Sequence, residues 1–270
     1  MLPALWVAKT GLSAQDTNLT VISNNLANVS TTGFKRDRAE FQDLLYQIKR
    51  QPGAQSTQDS ELPSGLQVGT GVRIVGTQKN FQTGSLQTTE NPLDMAVNGR
   101  GFFQVLQPDG TVSYTRDGTF HLNSDGQIVT ANGFALEPAI VVPNDAQTFT
   151  VGQDGTVSIT TAGNPAAQVI GNIQTADFIN PAGLQAIGDN LFLETAASGA
   201  PQVGTPGLNG FGTTLQQTLE NSNVSTVEEL VNMITTQRAY EMNSKVISTA
   251  DQRMATRVMK MLLSQGIRST

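Results

Sequence analysis

The chain contains no cysteine, which removes disulfides, thiol chemistry and cysteine-ligated metals together, so the fold has to be held by side-chain contacts and hydrogen bonds alone. Histidine is nearly as scarce. His121 stands alone between Phe120 and Leu122, and with no second histidine to complete a ligand set it reads as a structural or surface residue rather than a metal ligand. Aromatic residues make up 6% and charged residues 14% of the 270 positions. No apolar run approaches the ~20 residues that a bilayer-spanning helix requires. The apolar start, Met1 to Ala8, is short and lacks a basic leader, so it is expected to be mature structure and not a cleaved signal peptide.

Basic stripes are missing too. The formal net charge is −6, and it is unevenly spread: residues 31–224 carry nine basic against seventeen acidic groups, residues 225–270 six against four, and residues 1–30 one of each. An acidic middle of this kind excludes nucleic acid as an expected partner. Catalytic patterns are also absent. No serine sits in a Gly-x-Ser-x-Gly elbow, Gly99-Arg100-Gly101 lacks the third glycine of a dinucleotide loop, and nothing in their spacing sets Asp177 with Asp189, or Glu90 with Asp94, apart from ordinary surface acids. The Asp-Gly pairs from Asp109 to Asp125 lack the acidic spacing of calcium loops. The expectation is a non-enzymatic chain with no catalytic residue, no cofactor, no metal and no small-molecule substrate.

What the chain does have is helical periodicity at both ends. Leu5, Leu12, Leu19 and Leu26 recur every seven residues, with Ala8, Gln15, Ile22 and Val29 three positions further on. Met233, Tyr240, Ile247, Met254 and Met261 repeat the same spacing near the end, flanked by Leu230, Ile234, Ala250, Val258 and Leu262. Each is a narrow seam that has little reason to exist unless another helix covers it. The pattern predicts one helix from about Pro3 to about Asn28, stopped by Asn24, Asn25, Asn28, Ser30, Thr31, Thr32 and Gly33. A second is predicted from Ser225, which has capping-box spacing to Glu228, to about Ser264. The two are expected to form a coiled-coil core, pairing with each other, with neighbouring copies, or with both.

Between the ends lies turn-punctuated strand sequence. Asn98-Gly99, Asp109-Gly110, Asp117-Gly118, Asp125-Gly126, Asn132-Gly133 and Asp154-Gly155 supply the positive φ that tight hairpins need, and their spacing between Gly110 and Gly133 predicts a meander. Gln51 to Gly65 and Thr195 to Thr213 read as linkers, the first also as an extended arm. The fold class is therefore α+β: a discontinuous helical core domain of residues 1–33 and 220–270, a linker and arm at 34–70, and an inserted antiparallel, hairpin-rich β domain at 71–219.

Three stretches carry a resemblance. VISNNLANVSTTGFK at Val21 to Lys35, NPLDMAVNGRGFF at Asn91 to Phe103 with Tyr114-Thr115-Arg116-Asp117-Gly118, and MITTQRAYEMNSK at Met233 to Lys245 resemble the flagellar basal-body rod and hook family. Between them the matches cover nearly the whole chain. Asn24, Asn25, Asn28, Gly33, Phe34, Gln237, Arg238 and Tyr240 match the family's motifs. Within the family, the stretch Tyr46 to Gly65, with Pro52, Gly53, Leu62 and Pro63, resembles an arm that proximal rod and hook proteins are not expected to carry.

The resemblance implies a structural subunit that self-assembles as a homo-oligomer into a straight, rigid helical tube, its terminal helices forming the inner coiled-coil layer and its β domain the outer wall. Proximal rod subunits, hook or hook-junction subunits, and the peptidoglycan-level and outer-membrane ring proteins are the implied partners. The implied location is the basal body across the periplasm, reached through flagellar type III export. Two other readings stay open at this point: a hook or other rod subunit of the same family, and a carbohydrate-binding or carbohydrate-cleaving β protein with helical oligomerisation ends.

Overall fold

A computed structural model describes residues 3–53, 55–57, 60–61, 63–162 and 164–266 of the chain. The architecture is α+β, with helix α1 at Pro3–Ala27, helix α2 at Thr226–Gly266 and antiparallel strands between them. Proline is tolerated at the start of α1 because the first-turn amides have no intrahelical acceptor. The helix stops where Thr31 turns back on Asn28, backbone to backbone at 3.2 Å and Oγ1 to Oδ1 at 3.2 Å. With 41 residues, α2 is about 60 Å long at 1.5 Å per residue. Among the described residues no helix is long and apolar enough to cross a membrane.

The chain divides into two compact units, one of residues 1–26, 37–78 and 226–270, the other of residues 27–36 and 79–225. In the first unit the two helices are joined by strands β1 (Asp37–Asp43), β2 (Tyr46–Arg50), β3 (Gln55–Thr57), β4 (Ser60–Glu61), β5 (Leu66–Gly69) and β6 (Val72–Lys79). Strand β1 pairs with β6, and β2 with β5 in register Tyr46 to Gly69 and Gln47 to Val68, while β3 pairs with β4. Among the described residues of 51–65, the paired strands β3 and β4 make this part of a hairpin and not an irregular linker. Scarcity of apolar residues argued against local folding, yet a hairpin satisfies its backbone through its own ladder, whatever its side chains. Its base is closed by Leu44 N donating to Gly71 O at 2.9 Å and Thr70 Oγ1 donating to Leu45 O at 2.6 Å.

The second unit contains β7 (Leu86–Thr88), β8 (Met95–Asn98), β9 (Phe102–Leu106), β10 (Val112–Thr115), β11 (Phe120–Leu122), β12 (Ile128–Thr130), β13 (Ala135–Glu137), β14 (Ala146–Val151), β15 (Thr156–Thr161) and β16 (Asn164–Asn172). Strands β17 (Thr175–Asp177), β18 (Gln185–Gly188), β19 (Leu191–Leu193), β20 (Gln202–Gly204), β21 (Thr213–Gln216) and β22 (Thr218–Glu220) complete it. The main sheet runs β11-β12-β13-β9-β10-β19-β18, with β17 also on β9 and β20 on β17; β14-β15-β16 form a separate meander, and β8 pairs with β21 and β7 with β22. Residues 195–213, expected as a linker, contribute β20 and are tied down by Gly212 N donating to Arg100 O at 2.7 Å.

Strand β9 organises the core because neighbouring side chains on a strand point to opposite faces. Phe103 joins Met95, Phe120, Ile128 and Leu136 on one face, its ring 5.2 Å from that of Phe120. Phe102 joins Tyr114, Phe178 and Phe192 on the other. Five of the expected turn glycines, Gly99, Gly110, Gly126, Gly133 and Gly155, have positive φ. Gly118 does not share that conformation. It is needed for a close approach, since a Cβ there would collide with the carbonyl oxygen of Met95, while Asp117 Oδ1 accepts from Thr119 N at 3.1 Å.

Candidate assembly surfaces

The helices touch each other along a line that is polar and one position off the leucines. Asn18 Nδ2 donates to Thr236 Oγ1 at 3.1 Å, Asn25 Nδ2 donates to Glu229 Oε2 at 3.5 Å, and a Cβ on Gly11 would lie 3.1 Å from Asn243 Nδ2. Residues 11, 18 and 25 ascend by seven while 243, 236 and 229 descend by seven, so the pairing is antiparallel. The expected joining of the two apolar seams is not what makes this contact. A physical reason is at hand: Asn25, Thr236 and Glu229 are buried, and buried polar groups require partners, which these residues supply to one another.

The apolar seams are only partly covered. Leu5, Leu12, Leu19, Leu26, Met233 and Ile247 are half-buried, Tyr240 is 40% exposed, and Ala8 and Ile22 are buried. The side chains of Met254 and Met261 lie outside the described residues. Next to the second seam Ile234, Met242 and Val246 are exposed as well. Gln237 and Arg238 are exposed on α2.

Of the asparagine cluster, Asn24 is exposed, Asn28 half-buried and Asn25 buried. Asn25 Oδ1 accepts from Asp37 N at 2.9 Å and its Nδ2 donates to Asp37 O at 2.8 Å, so one side-chain amide takes the place of a strand neighbour at the first residue of β1. Asn25→Ala removes both bonds and leaves a part-buried peptide group without them. The expected loss is about 1–3 kcal/mol, read as a lower midpoint for the helical signal in circular dichroism and faster exchange of the Asp37 amide. An unchanged midpoint would mean that water replaces the clamp at no cost.

Gly33 and Phe34 lead into the second unit's densest polar site. Gly33 has φ of +67° and donates its N–H to Glu220 O at 2.8 Å; a Cβ there would sit 2.6 Å from Asp117 N. Phe34 is half-buried, with the Lys79 ammonium 5.3 Å from its ring centre. Lys35 is fully buried, and its Nζ lies 2.6 Å from Glu220 Oε1 and 2.8 Å from Gln82 O. Arg116 reaches the same carboxylate at 3.3 Å, donates to Val97 O at 3.0 Å and Gly99 O at 2.6 Å, and stacks 5.2 Å over Phe102. Burial pushes the Lys35 ammonium and the Arg116 guanidinium below their ordinary pKa values, and the Glu220 carboxylate pulls both back up. Lys35 and Arg116 fall inside motif stretches of the sequence, but no spacing links positions 35, 116 and 220, and Glu220 gave no signal at all.

The hairpin carries apolar side chains on both faces. Tyr46 and Ile48 share one face by alternation and are 54% and 62% exposed, and Leu45 at its base is 88% exposed. Val68, on the opposite face, lines a cleft of about 210 Å³ with Pro3, Trp6 and Val7 of α1. Pro52, Gly53 and Pro63 are exposed, and Leu62 lies outside the described residues.

Three segments match known families: residues 5–35 the flagella basal body rod protein family, residues 96–159 the flagellar hook protein FlgE/F/G D1 domain, and residues 215–261 the flagellar basal body rod FlgEFG protein C-terminal family. Flagellar basal-body rod protein FlgG of Buchnera aphidicola subsp. Schizaphis graminum is 54% identical over 252 residues, 93% of this chain and 97% of the relative. The protein of the same name from Caulobacter vibrioides is 50% identical over 252 residues, covering 93% and 96%. Flagellar hook protein FlgE of Helicobacter pylori is 40% identical over 139 residues, 51% of this chain but 19% of the hook protein.

Proposed function

The chain belongs to the flagellar basal-body rod protein family, and on that premise we propose that it builds the distal, rigid segment of the rod as a helical tube of its own copies. It is a structural subunit of a flagellar assembly made with other rod and hook subunits. The observation that carries the finer reading is the mismatch on the terminal helices: the contact inside one chain uses Gly11, Asn18 and Asn25 against Asn243, Thr236 and Glu229, while both apolar seams stay half open. Such a seam is covered when α1 and α2 of neighbouring copies meet, forming a coiled-coil layer inside the tube. The exposed hairpin from Tyr46 to Gly69 lies along the next subunit and fixes its tilt.

Torque then passes through many contacts at once, since heterologous, head-to-tail contacts generate open helical assemblies in which each copy touches several others. At its ends the tube meets proximal rod subunits and hook or hook-junction subunits, and along its length the peptidoglycan-level and outer-membrane rings as it crosses the periplasm. Export through the flagellar type III route suits a chain without cysteine, because no disulfide has to be broken for threading.

The test is complementation. A bacterium deleted for its own distal rod gene and supplied with this chain is expected to swim, and its isolated basal bodies to show full-length straight rods in electron micrographs. Rods that stop at the proximal segment in cells that export the chain would overturn the assignment.

A further inference from the structure

The chain passes between its two units four times, at residues 26/27, 36/37, 78/79 and 225/226. Inside the second unit, the segments that lead to those crossings are laced together. Asn80 N donates to Arg36 O at 2.8 Å, Arg36 N donates to Asn223 Oδ1 at 2.8 Å, and Asn223 Nδ2 returns to Asn80 O at 2.8 Å. That is a closed ring through all three segments. Beside it Gly33 N donates to Glu220 O and Asn221 N to Ser85 O, at 2.8 and 2.9 Å.

Next to this lacing sits an ionic cluster of unusual balance. The Glu220 carboxylate takes Lys35 on Oε1 and Arg116 on Oε2, with Gly84 N on Oε1 as well at 2.8 Å. Two cations therefore share the one carboxylate within ion-pair distance, all three side chains being almost fully buried, and the Asp177 carboxylate acts on Arg116 from further away. Each member belongs to a different part of the chain. Lys35 lies in the segment entering the unit, Glu220 in the segment leaving it, and Arg116 in the loop directly after β10 of the main sheet, where the carbonyls of Val97 in β8 and of Gly99 hold it. Arg116 Nε has no partner, so the arrangement is not one that stability alone would choose. Apolar residues of the same volume are often the more stable solution.

We infer that the Lys35–Glu220–Arg116 cluster is a torsional staple: it locks the entering and leaving segments to the sheet, so that a twist arriving through the four crossings moves them as one body. Apolar contacts are non-directional and permit sliding. Charge-assisted hydrogen bonds at fixed distances resist it. The rod reading supplies only the source of the twist; the staple is a property of the isolated chain, so its failure would leave that reading standing.

Hydrogen exchange on the full chain tests it with Glu220→Gln, Lys35→Met and the double variant. In Glu220→Gln two cations remain without their anion. Protection at the Gly33, Arg36, Asn80 and Asn221 amides is expected to fall about a hundredfold, while β9 and β12 amides keep theirs. Lys35→Met leaves a one-to-one Arg116–Glu220 pair and is expected to cost less, and the double variant to fall between the two single ones. Should Glu220→Gln fail to fold, the Lys35→Met chain decides by the same pattern, loosened segments on a protected sheet. Uniform loss across the sheet, or a double variant as costly as the sum of the single ones, overturns the staple.

Discussion

Leu19→Asp is expected to abolish tube formation while leaving the thermal transition of the β unit where it was. Leu19 is half-buried in the single chain, so an aspartate there keeps access to water before assembly and costs the monomer little. In the tube proposed above the same position is the one a neighbouring copy covers. Losing the leucine removes about 1.5–3 kcal/mol of apolar burial, and desolvating a carboxylate without a partner adds several more. Even ~4 kcal/mol per subunit is about a thousandfold in affinity, enough to stop polymerisation at cellular concentrations. Ile247→Asp tests the second seam in the same way. Sedimentation and electron microscopy read assembly, and calorimetry of the same sample reads the β unit. Normal tubes from either variant would show that the seams are not the polymer contact.

Removal of residues 46–69 is expected to separate rigidity from assembly. The deletion closes across a short gap, because Thr70 Oγ1 already donates to Leu45 O at 2.6 Å and Leu44 N to Gly71 O at 2.9 Å. What is lost is a self-paired hairpin with Tyr46, Ile48 and Leu66 more than half exposed. Such a surface, if left bare in the tube, would be a sheet edge open to wrong pairing, so a neighbouring copy is its natural cover. The terminal helices keep their sequence and lose only the hairpin wall of the cleft beside Pro3, Trp6 and Val7 of α1, so the shortened chain should still polymerise. Its tubes should bend more. Micrographs give the persistence length, expected to drop several-fold, and straight tubes of equal stiffness would place rigidity in the helices instead.

The antiparallel contact between α1 and α2 shows where reading the sequence stops. Heptad spacing located both helices to within two residues at every end described, since a helix turn is a local property of a few consecutive residues. The same spacing marked Leu12 and Leu19 as a seam, left open whether that seam is filled within one chain or between copies, and gave no sign of the contact through Gly11 and Asn18. Nothing local says which of two adjacent stripes meets its own partner and which waits for another copy. Turn chemistry behaved similarly: Asp-Gly pairs located the hairpins at Gly110, Gly126 and Gly155 because positive φ is the glycine's own property. At Gly118 the glycine answers to the Met95 carbonyl, a neighbour set by the fold.

The helical ends, the antiparallel β middle, the absence of thiol chemistry and, through VISNNLANVSTTGFK and its companions, the family were legible in residue order alone. Only the tertiary structure decided that Asn25 would clamp Asp37, that the arm would pair with itself as a hairpin, and that Lys35, Arg116 and Glu220 would share one buried site. The reason is range. Propensity, periodicity and turn conformation act over a few residues, whereas those contacts join positions up to 185 residues apart, and which distant groups meet is settled by how the whole chain satisfies its buried polar atoms together.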